Sequence, residues 1–372
     1  MKQKLKTAFN ILLSYIIRLA LSPLRLLPVN KKRVLFVCYR GKQYACNPRA
    51  ISEKLEGKGL ELIWAFHHPE EFGFLKERGI NVVGDRGLRF AYLALTSRVV
   101  ITNTYYKPFL PRRRKQFYLR TWHGGGAYKR VNYPGGLTGY YIRMQQQGAD
   151  LYLSSSSEFT KGTLREAFGY KGEVLEAGMP RNDIFFDAEK ADKVAGRLRG
   201  ELDIPADTKL ALYAPTYRDK GTPPEIDENA VLSALRERFG GEWKLLYRGH
   251  HVYDRAECEK QDMQELLCLA DVLLTDYSSS MWDMSLSGKP VFLFAPDISR
   301  YKAERDFFMD IRSWPFPLAE SITELCENIK GFDKAKYAAD VKKHHEALGS
   351  CETGKAADKA AERVIRECGT DK

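Results

Sequence analysis

The stretch that decides the fold is Asp271–Asp310, DVLLTDYSSSMWDMSLSGKPVFLFAPDISRYKAERDFFMD. The apolar run at 272–274 predicts a buried strand, and residues 281–286 predict a short helix that Gly288 ends. A second apolar run at 291–294 follows at once and predicts another strand. The order strand, turn, helix, strand indicates one unit of a parallel α/β sheet.

The turn of this unit contains three serines, of which Ser278 and Ser279 come first after the strand. A serine at such a turn can cap the following helix, whose first N–H groups carry partial positive charge. A phosphate needs donors of this kind, so the turn is a candidate anion site. The alternative is that these serines are helix caps and bind no ligand.

Similar strand and helix patterns alternate on both sides of this unit, in two successive sets. The first set predicts strands at 33–38, 61–65, 80–83, 99–101, 117–121, 150–154 and 172–177, and the second at 209–214, 244–248, 272–274 and 291–294. Helical patterns lie between them. We therefore predict an α/β protein with two Rossmann-like, doubly wound domains that face a cleft, an arrangement known as GT-B. The expected segments are a separate N-terminal segment at 1–30, an N-terminal domain at 31–187, a linker at 188–206, and a C-terminal domain with the terminal helices at 207–372.

Polar motifs follow the predicted strands of both sets. In doubly wound sheets, ligands bind beyond the carboxyl ends of the strands. Because the motifs share this placement, we expect them to form one site between the domains.

His123 follows a predicted strand and precedes three glycines, with Lys129 close behind. Glycine lets a backbone approach an anion closely, and a histidine can accept a proton from an alcohol near neutral pH. His-Gly-Gly-Gly also occurs in the oxyanion loop of lipases, but that interpretation requires a G-x-S-x-G motif, which this sequence lacks. The remaining alternative is a histidine that only caps a turn.

Arg248-Gly249-His250 ends a predicted strand of the second set. The planar guanidinium of arginine suits a phosphate, and a histidine can hydrogen-bond a phosphoryl oxygen.

Together these motifs resemble those of the CDP-glycerol glycerophosphotransferase family, which builds the polyol-phosphate chains of teichoic acids. The similarity covers about residues 34–336 with five motifs in family order. These are Trp122-His123-Gly124 with Lys129, Pro180-Arg181-Asn182-Asp183, Pro215-Thr216-Tyr217-Arg218-Asp219, Arg248-Gly249-His250, and Thr275-Asp276-Tyr277-Ser278-Ser279 with Asp283. The chain departs from the family at Gly125 and Gly126, which replace Thr-Pro, and Lys129 lies one residue later than usual.

The resemblance implies a transferase that moves glycerol phosphate, or a related polyol phosphate, from a CDP-polyol to a hydroxyl of a lipid-linked saccharide acceptor. His123 and His250 would be catalytic. Residues expected to bind the donor are Arg248, Thr275, Asp276, Ser278, Ser279, Lys129 and Arg218. Supporting residues would be Trp122, Gly124, Arg181, Asn182, Asp183 and Asp283. Arg218 and the 180–183 motif could equally brace the cleft.

Two other functions remain open at this point: a GT-B glycosyltransferase that uses a nucleotide sugar, and a non-enzymatic scaffold. Glycerol is not distinguished from ribitol, nor is the addition of one unit from the addition of many. The sequence contains no clustered metal-ligand motif, so we expect no metal site and no cofactor; Mg²⁺ would have to arrive with the substrate.

The net positive charge of the chain is concentrated at the N-terminus. The first 52 residues contain eleven Lys or Arg and no Asp or Glu. Subtracting these eleven from the 59 basic residues leaves 48, which equals the 48 acidic residues of the chain. A balanced body argues against a nucleic-acid partner, and a basic N-terminus favours an anionic membrane surface.

Residues 2–27 combine these charges with apolar residues at helical spacing, and Arg18 and Arg25 interrupt the apolar run. The run is too short for a spanning helix, so we predict an amphipathic helix in the inner leaflet and a peripheral protein on the cytoplasmic face. The alternative is a helix packed on the body of the protein. The basic loop 112–115 could contact either the membrane or the substrate. Seven cysteines without C-x-x-C spacing are consistent with the reducing cytoplasm.

Overall fold

The computed structural model describes residues 2–105, 107–130, 135–146, 148–216, 218, 222–249, 258, 261–304 and 307–369. The chain is an α/β protein with two parallel sheets, one of seven strands and one of five. The strands are β1 Asn30–Val37, β2 Glu61–Phe66, β3 Asn81–Gly84, β4 Ser97–Thr102, β5 Phe117–Arg120, β6 Leu151–Ser154, β7 Glu173–Glu176, β8 Lys209–Tyr213, β9 Trp243–Tyr247, β10 Val272–Thr275, β11 Val291–Phe294 and β12 Leu318–Ala319.

The first sheet has the order β3-β2-β1-β4-β5-β6-β7. The chain runs outward from β1 to β3 and then returns to the other side of β1 with β4, so the order reverses between β1 and β4. Successive residues of β1 enter cores on opposite faces: Val34 and Phe36 on one, Leu35 and Val37 on the other. This two-sided burial is typical of parallel strands and explains why the second half of β1, residues 34–37, is apolar throughout.

The second sheet has the order β12-β11-β10-β8-β9, and it reverses between β8 and β10. Its strands β10 and β11 are buried along their whole length. Crevices at such reversal points, beyond the carboxyl ends of the strands, are where α/β sheets bind ligands.

The α-helices lie before, between and after the strands in chain order. They are α1 Lys2–Leu21, α2 Cys46–Leu55, α3 Phe74–Glu77, α4 Gly87–Thr96, α5 Gly136–Gln146, α6 Ala188–Glu201, α7 Glu228–Phe239, α8 Met263–Leu269, α9 Ser280–Ser285, α10 Ile298–Glu304, α11 Ile322–Lys330, α12 Lys334–Ala347 and α13 Ala356–Cys368. Short 3₁₀ helices occupy Ser22–Leu26, Pro69–Phe72, Pro180–Phe186 and Ile311–Ser313, and Phe159–Ala167 is a π-helix.

Contacts join the half of the molecule built on the first sheet (the first half) to the half built on the second sheet (the second half). Tyr128, which follows β5 of the first sheet, is buried in the core of the second sheet, where its hydroxyl lies 3.0 Å from His344 Nε2. In the other direction, Ala360 and Val364 of α13 pack into the core of the first sheet. The predicted segment 207–372 grouped α13 with the second half, whereas its packing is with the first. Periodicity identifies a helix but not the sheet on which it packs.

The N-terminal helix α1 is continuous over 20 residues. By length and composition, residues 4–26 suffice to cross a membrane, so the expectation that this run is too short was wrong on that criterion. One face of the helix nevertheless contacts the body. Tyr15 and Tyr140 hydroxyls lie 2.7 Å apart, Arg18 donates to Pro108 O, and Leu21 is buried beside α4.

The opposite face of α1 is apolar and exposed. Leu5, Phe9, Leu12 and Leu19 are 64%, 62%, 59% and 76% exposed. The helix is therefore docked on the protein along one side, and its other side is exposed.

The basic loop 112–115 is divided in its contacts. Arg113 is buried and donates to the carbonyl oxygens of Leu27 and Leu95, so it fastens the N-terminal segment to α4. Arg114 and Lys115 are exposed.

Candidate functional site

His123 lies beyond the end of β5, next to the reversal point of the first sheet. Its Nδ1 is 2.8 Å from the carbonyl oxygen of Asn103, which follows the adjacent strand β4. A carbonyl oxygen only accepts, so Nδ1 carries the proton and Nε2 is the acceptor. The pKa of His123 is lowered to about 4, mainly by burial and also by the positive charges of Arg181, Lys129 and Arg40, while the hydrogen bond to Asn103 opposes this shift. The imidazole is therefore neutral and can accept a proton at Nε2 near pH 7.

The backbone around this histidine is strained. Trp122, Tyr39 and Arg40 have φ angles of 55°, 44° and 59°, in the left-handed region that side chains disfavour. Asn103 helps to hold this arrangement, since its Oδ1 accepts from Tyr39 N at 2.8 Å. Such strain costs on the order of 1 kcal/mol per residue and persists where the surrounding structure enforces it.

The glycines after His123 make room for the second half of the molecule. A side-chain carbon on Gly125 would lie 2.7 Å from Trp282 Cδ1 and 3.3 Å from Asp283 Oδ1, both on α9. Gly124 is less constrained, because a carbon there would lie 3.4 Å from the Trp122 ring and 3.8 Å from Phe159 Cε2. The replacement of Thr-Pro by two glycines thus permits close contact between the His123 loop and α9.

Lys129 lies on the second-half side of this loop. Its Nζ is 3.4 Å from Thr216 Oγ1 and 5.8 Å from the centre of the Tyr301 ring. Because it also contributes to the depressed pKa of His123, its charge faces the same space as the histidine.

The residues after β10 have two different roles. Thr275 and Asp276 are fully buried: Thr275 Oγ1 donates to Ala214 O, and Asp276 accepts from Thr216 N and from Arg218. They fasten the end of β10 to the end of β8. Ser278 and Ser279 are half-buried at the start of α9 and remain accessible to a ligand.

The expected serine cap is only partly present. Ser279 occupies the N-cap position of α9 but makes no side-chain cap hydrogen bond. Ser278 Oγ instead accepts from Ser280 N at 3.3 Å and from Ser280 Oγ at 3.0 Å.

Arg218 has the contacts of a bracing residue. It is 3% exposed, and its guanidinium donates to Asp276, to Asp297 at 2.8 and 3.0 Å, and to Thr216 O. The guanidinium also lies 5.0 Å from the centre of the Tyr277 ring. Of the two roles left open by the sequence, these contacts favour bracing over phosphate binding, because the side chain is already paired.

Arg248 follows β9 and is half-buried, and it donates to the carbonyl oxygens of Cys258 and Gln261. It thus helps to position the loop that leads into α8. His250 lies outside the described residues, as do Tyr217 and Asp219 of the 215–219 motif.

The 180–183 motif joins the halves through buried polar contacts. Arg181 donates from Nε and Nη2 to both oxygens of Asp283 at 3.0 Å, and Asn182 Nδ2 donates to Asp283 Oδ1 at 3.0 Å. Asp183 accepts from the backbone N–H groups of Ala356 and Ala357, so it caps α13. These three residues are therefore positioning residues in this structure.

Glu352 belongs to the same junction but was missed by the sequence analysis. Its carboxylate accepts from Met179 N, Asn182 Nδ2 and Trp282 Nε1 at 3.0, 3.0 and 3.1 Å. Burial raises its pKa to about 7, against these three hydrogen bonds. A single glutamate before a helix has no pattern that signals such a role.

The sequence analysis also assigned no role to His344 and His345. His345 stacks on Trp282 with ring centres 4.2 Å apart.

A cavity of about 590 Å³ lies beside this junction, lined by Cys46, Arg49, Arg181, Asp262 and Glu265 among others. It is bordered by α2 and α8 rather than by the strand-end residues His123 and Ser278. Arg49 is paired there with Glu265 at 2.8 Å, so the cavity wall is an ion-pair network. Within the described ranges, no cluster of three His, Cys, Asp or Glu residues could hold a metal ion.

Comparison with known proteins agrees with the fold and with the family that the motifs resemble. A teichoic acid poly(glycerol phosphate) polymerase from Bacillus spizizenii is 28% identical over 98% of this chain and 100% of its own length. A teichoic acid glycerol-phosphate transferase from Staphylococcus aureus is 27% identical over 91% of this chain and 94% of its own. A solved structure of the wall teichoic acid polymerase TagF superposes with a TM-score of 0.79 and 25% identity, covering 99% of this chain and 97% of that one.

The family model described as CDP-Glycerol:Poly(glycerophosphate) glycerophosphotransferase matches residues 20–366. Since this match spans nearly the whole chain, the protein belongs to that glycerophosphotransferase family.

Proposed function

We propose that the protein transfers glycerol phosphate from CDP-glycerol to a hydroxyl of a lipid-linked acceptor during synthesis of teichoic acid or a related cell-surface polymer. The two sheets are then two Rossmann-like domains that face a shared cleft, with the acceptor on the first and the CDP donor on the second. Family membership and the relatives' activities support the donor class.

The observation that carries this proposal is the state of His123. Its Nδ1–H donates to Asn103 O, and its low pKa keeps Nε2 unprotonated. The ring lies beside the β1–β4 reversal point of the first sheet. A neutral imidazole with one fixed proton is the form that a general base needs. The cations that surround it suit an anionic substrate.

In the proposed reaction, His123 Nε2 takes the proton of the acceptor hydroxyl as its oxygen attacks the phosphorus next to glycerol. The bond from that phosphorus to the bridging oxygen breaks, and CMP leaves with the electron pair. We assign to Lys129 and to the half-buried serines Ser278 and Ser279 the stabilisation of charge on the diphosphate. His250 is assigned to the donor phosphates by family resemblance alone.

The exposed apolar face of α1 supports the second part of the proposal, which places the enzyme peripherally on the cytoplasmic face of the membrane. Leu5, Phe9 and Leu12 form a stripe next to Lys4 and Lys6. A basic amphipathic helix of this kind binds anionic lipid surfaces. The acceptor would be presented by the same membrane.

Turnover of a donor panel tests the proposed reaction. Purified enzyme is incubated with lipid-linked acceptor and CDP-glycerol, CDP-ribitol or a UDP-sugar, and the products are identified by mass spectrometry. We expect a mass increase of one or more glycerol phosphate units and release of CMP. Transfer of a sugar from the UDP donor, with no reaction of either CDP-polyol, would replace the proposal with a glycosyltransferase function.

A further inference from the structure

The turn after β1 contains an arginine that the proposed reaction does not yet use. Arg40 is exposed, and its guanidinium lies 5.6 Å from the centre of the Tyr105 ring. In the described part of the chain it has no carboxylate partner. A stacked arginine without a counter-ion is a suitable group for recognising a phosphate.

The position of Arg40 is fixed by the fold. Besides the hydrogen bond from Tyr39 N to Asn103, Gly41 N donates to Cys38 O at 2.8 Å, and His67 N donates to Gly41 O at 2.7 Å. These bonds hold the turn with Tyr39 and Arg40 in left-handed conformations. The arginine is thus presented at the β1–β4 reversal point, where ligands of α/β sheets bind.

Arg40 is also close to the base. The Tyr39 ring lies 5.8 Å from the His123 ring, and the Tyr105 ring under Arg40 lies 5.8 Å from that of Trp122. The charge of Arg40 contributes to the low pKa of His123, which agrees with this placement. Arg40 belongs to the turn after β1 in the first half, whereas Lys129 Nζ lies 3.4 Å from Thr216 Oγ1 of the second half.

We infer that Arg40 binds the phosphodiester nearest to the attacking hydroxyl in an acceptor that already ends in a polyol phosphate unit, which is the acceptor class that the family description names. The inference rests on the proposed function. In such an acceptor, the phosphodiester is only a polyol backbone away from the attacking hydroxyl at His123. The pyrophosphate of the lipid is separated from that hydroxyl by the saccharide, so it is a poorer match for a group so near the base.

Two synthetic acceptors test this inference: a lipid-linked disaccharide with one terminal glycerol phosphate, and the same molecule without it. We expect the wild-type protein to bind the phosphate-terminated acceptor more tightly. Arg40→Gln should raise KM for that acceptor by about tenfold, as for the loss of one charge-assisted hydrogen bond. KM for the bare acceptor and for CDP-glycerol should stay unchanged.

Two further variants separate recognition from structure. Arg40→Lys keeps the charge and should restore most of the affinity. Lys42→Gln removes an exposed charge from the same turn and should leave both acceptors unaffected. The preference of the wild-type protein should also weaken with rising salt, and that dependence should shrink in Arg40→Gln.

Equilibrium binding of the two acceptors, measured without donor, tests the inference even if CDP-glycerol gives no turnover. Absent turnover alone would overturn the proposed function. The inference would be overturned if Arg40→Gln weakened both acceptors equally, or neither.

Discussion

His123 owes its chemical form to neighbours that come from three separate strands. Asn103 O after β4 fixes the tautomer, the strained Trp122 after β5 orients the ring, and Tyr39 after β1 packs against it. The motif around His123 was sufficient to nominate it as a base. Its tautomer depends on Asn103, which no motif marks, because the contact joins residues 20 positions apart that follow different strands. Its depressed pKa depends on burial, which the motif does not show either.

Replacing His123 by Ala should abolish turnover but leave CDP-glycerol affinity nearly intact. A base acts on the acceptor in the transition state and contributes little to donor binding. We expect a rate loss of about 10²–10⁴-fold in single-turnover experiments, with donor affinity followed by calorimetry. Loss of donor affinity in this variant would instead assign His123 to the donor site.

The pH dependence of the wild-type enzyme provides a second test of His123. A base with a pKa of about 4 stays unprotonated as the pH falls from 7 to 5, so kcat/KM should decline only near pH 4. A histidine with an ordinary pKa would place that decline near 6.5. The measurement is kcat/KM across this range at constant ionic strength. An acidic limb centred near 6.5 would contradict the described environment.

Glu352→Gln tests the buried junction. The pKa of Glu352 is raised from 4.5 to about 7, so the folded state holds the proton more tightly than the unfolded state. The stability from this group is therefore fully present below pH 4.5 and is lost as the pH rises through 7. Glutamine does not titrate. Between pH 4.5 and 8, the free energy of unfolding of the variant should therefore increase relative to that of the wild type by on the order of 3 kcal/mol. Denaturant unfolding at several pH values measures this, and a pH-independent difference would refute it.

At the scale of elements, the strands were the best-predicted part of the fold. The run at 61–65 is β2 Glu61–Phe66, and the run at 291–294 is β11 Val291–Phe294. Buried parallel strands are apolar on both faces, so they stand out in the sequence. Helix α12 was not predicted, because its exposed lysines at 334, 336, 342 and 343 obscure the few buried positions. The approach of α9 to the His123 loop was also invisible, since it depends on which glycine faces which ring.

Gly125→Ala should disturb that approach. The added carbon would lie 2.7 Å from Trp282 Cδ1, a distance that requires either the loop or α9 to move. Overpacking of this kind typically costs about 1–3 kcal/mol, and it would displace His123 relative to the serines of α9. We expect reduced stability and a larger loss of turnover than of donor affinity.

Gly200→Ala is a matched control for this variant. Gly200 lies within α6, and an added carbon there would have no neighbour within 4 Å among the described residues. Alanine favours a helix over glycine, so stability should rise by about 0.5–1 kcal/mol with activity unchanged. Equal behaviour of the two variants would mean that Gly125 is not under steric constraint.

At the scale of the whole molecule, two features set the geometry of catalysis. Tyr128 and α13 cross between the halves, and the Arg181–Asp283 pair closes the junction behind the His123 loop. Such reciprocal crossings hold the His123 loop and α9 in a defined relation. The sequence placed all motifs at strand ends, but it could not show these crossings, because each joins residues more than 100 positions apart.

The last prediction concerns how this body meets the membrane. Deleting α1 would also remove buried Leu21, so substitutions on its exposed face are the cleaner change. The triple variant Leu5→Ser, Phe9→Ser and Leu12→Ser removes the apolar stripe without touching the contacts of Tyr15 and Arg18. Each side chain transferred from water into lipid contributes on the order of 1 kcal/mol or more, so vesicle affinity should fall by about 100-fold or more.

Sedimentation with phosphatidylglycerol vesicles measures this affinity, and thermal unfolding should show little change, because the side chains of the stripe are mostly exposed. Lys4→Gln with Lys6→Gln is the companion variant. This variant should weaken vesicle binding at low salt but have little effect at high salt. The reason is that the two lysines contribute electrostatic attraction, whereas the stripe contributes apolar contact. If the triple variant bound vesicles as well as the wild type, the exposed stripe would not be the membrane contact.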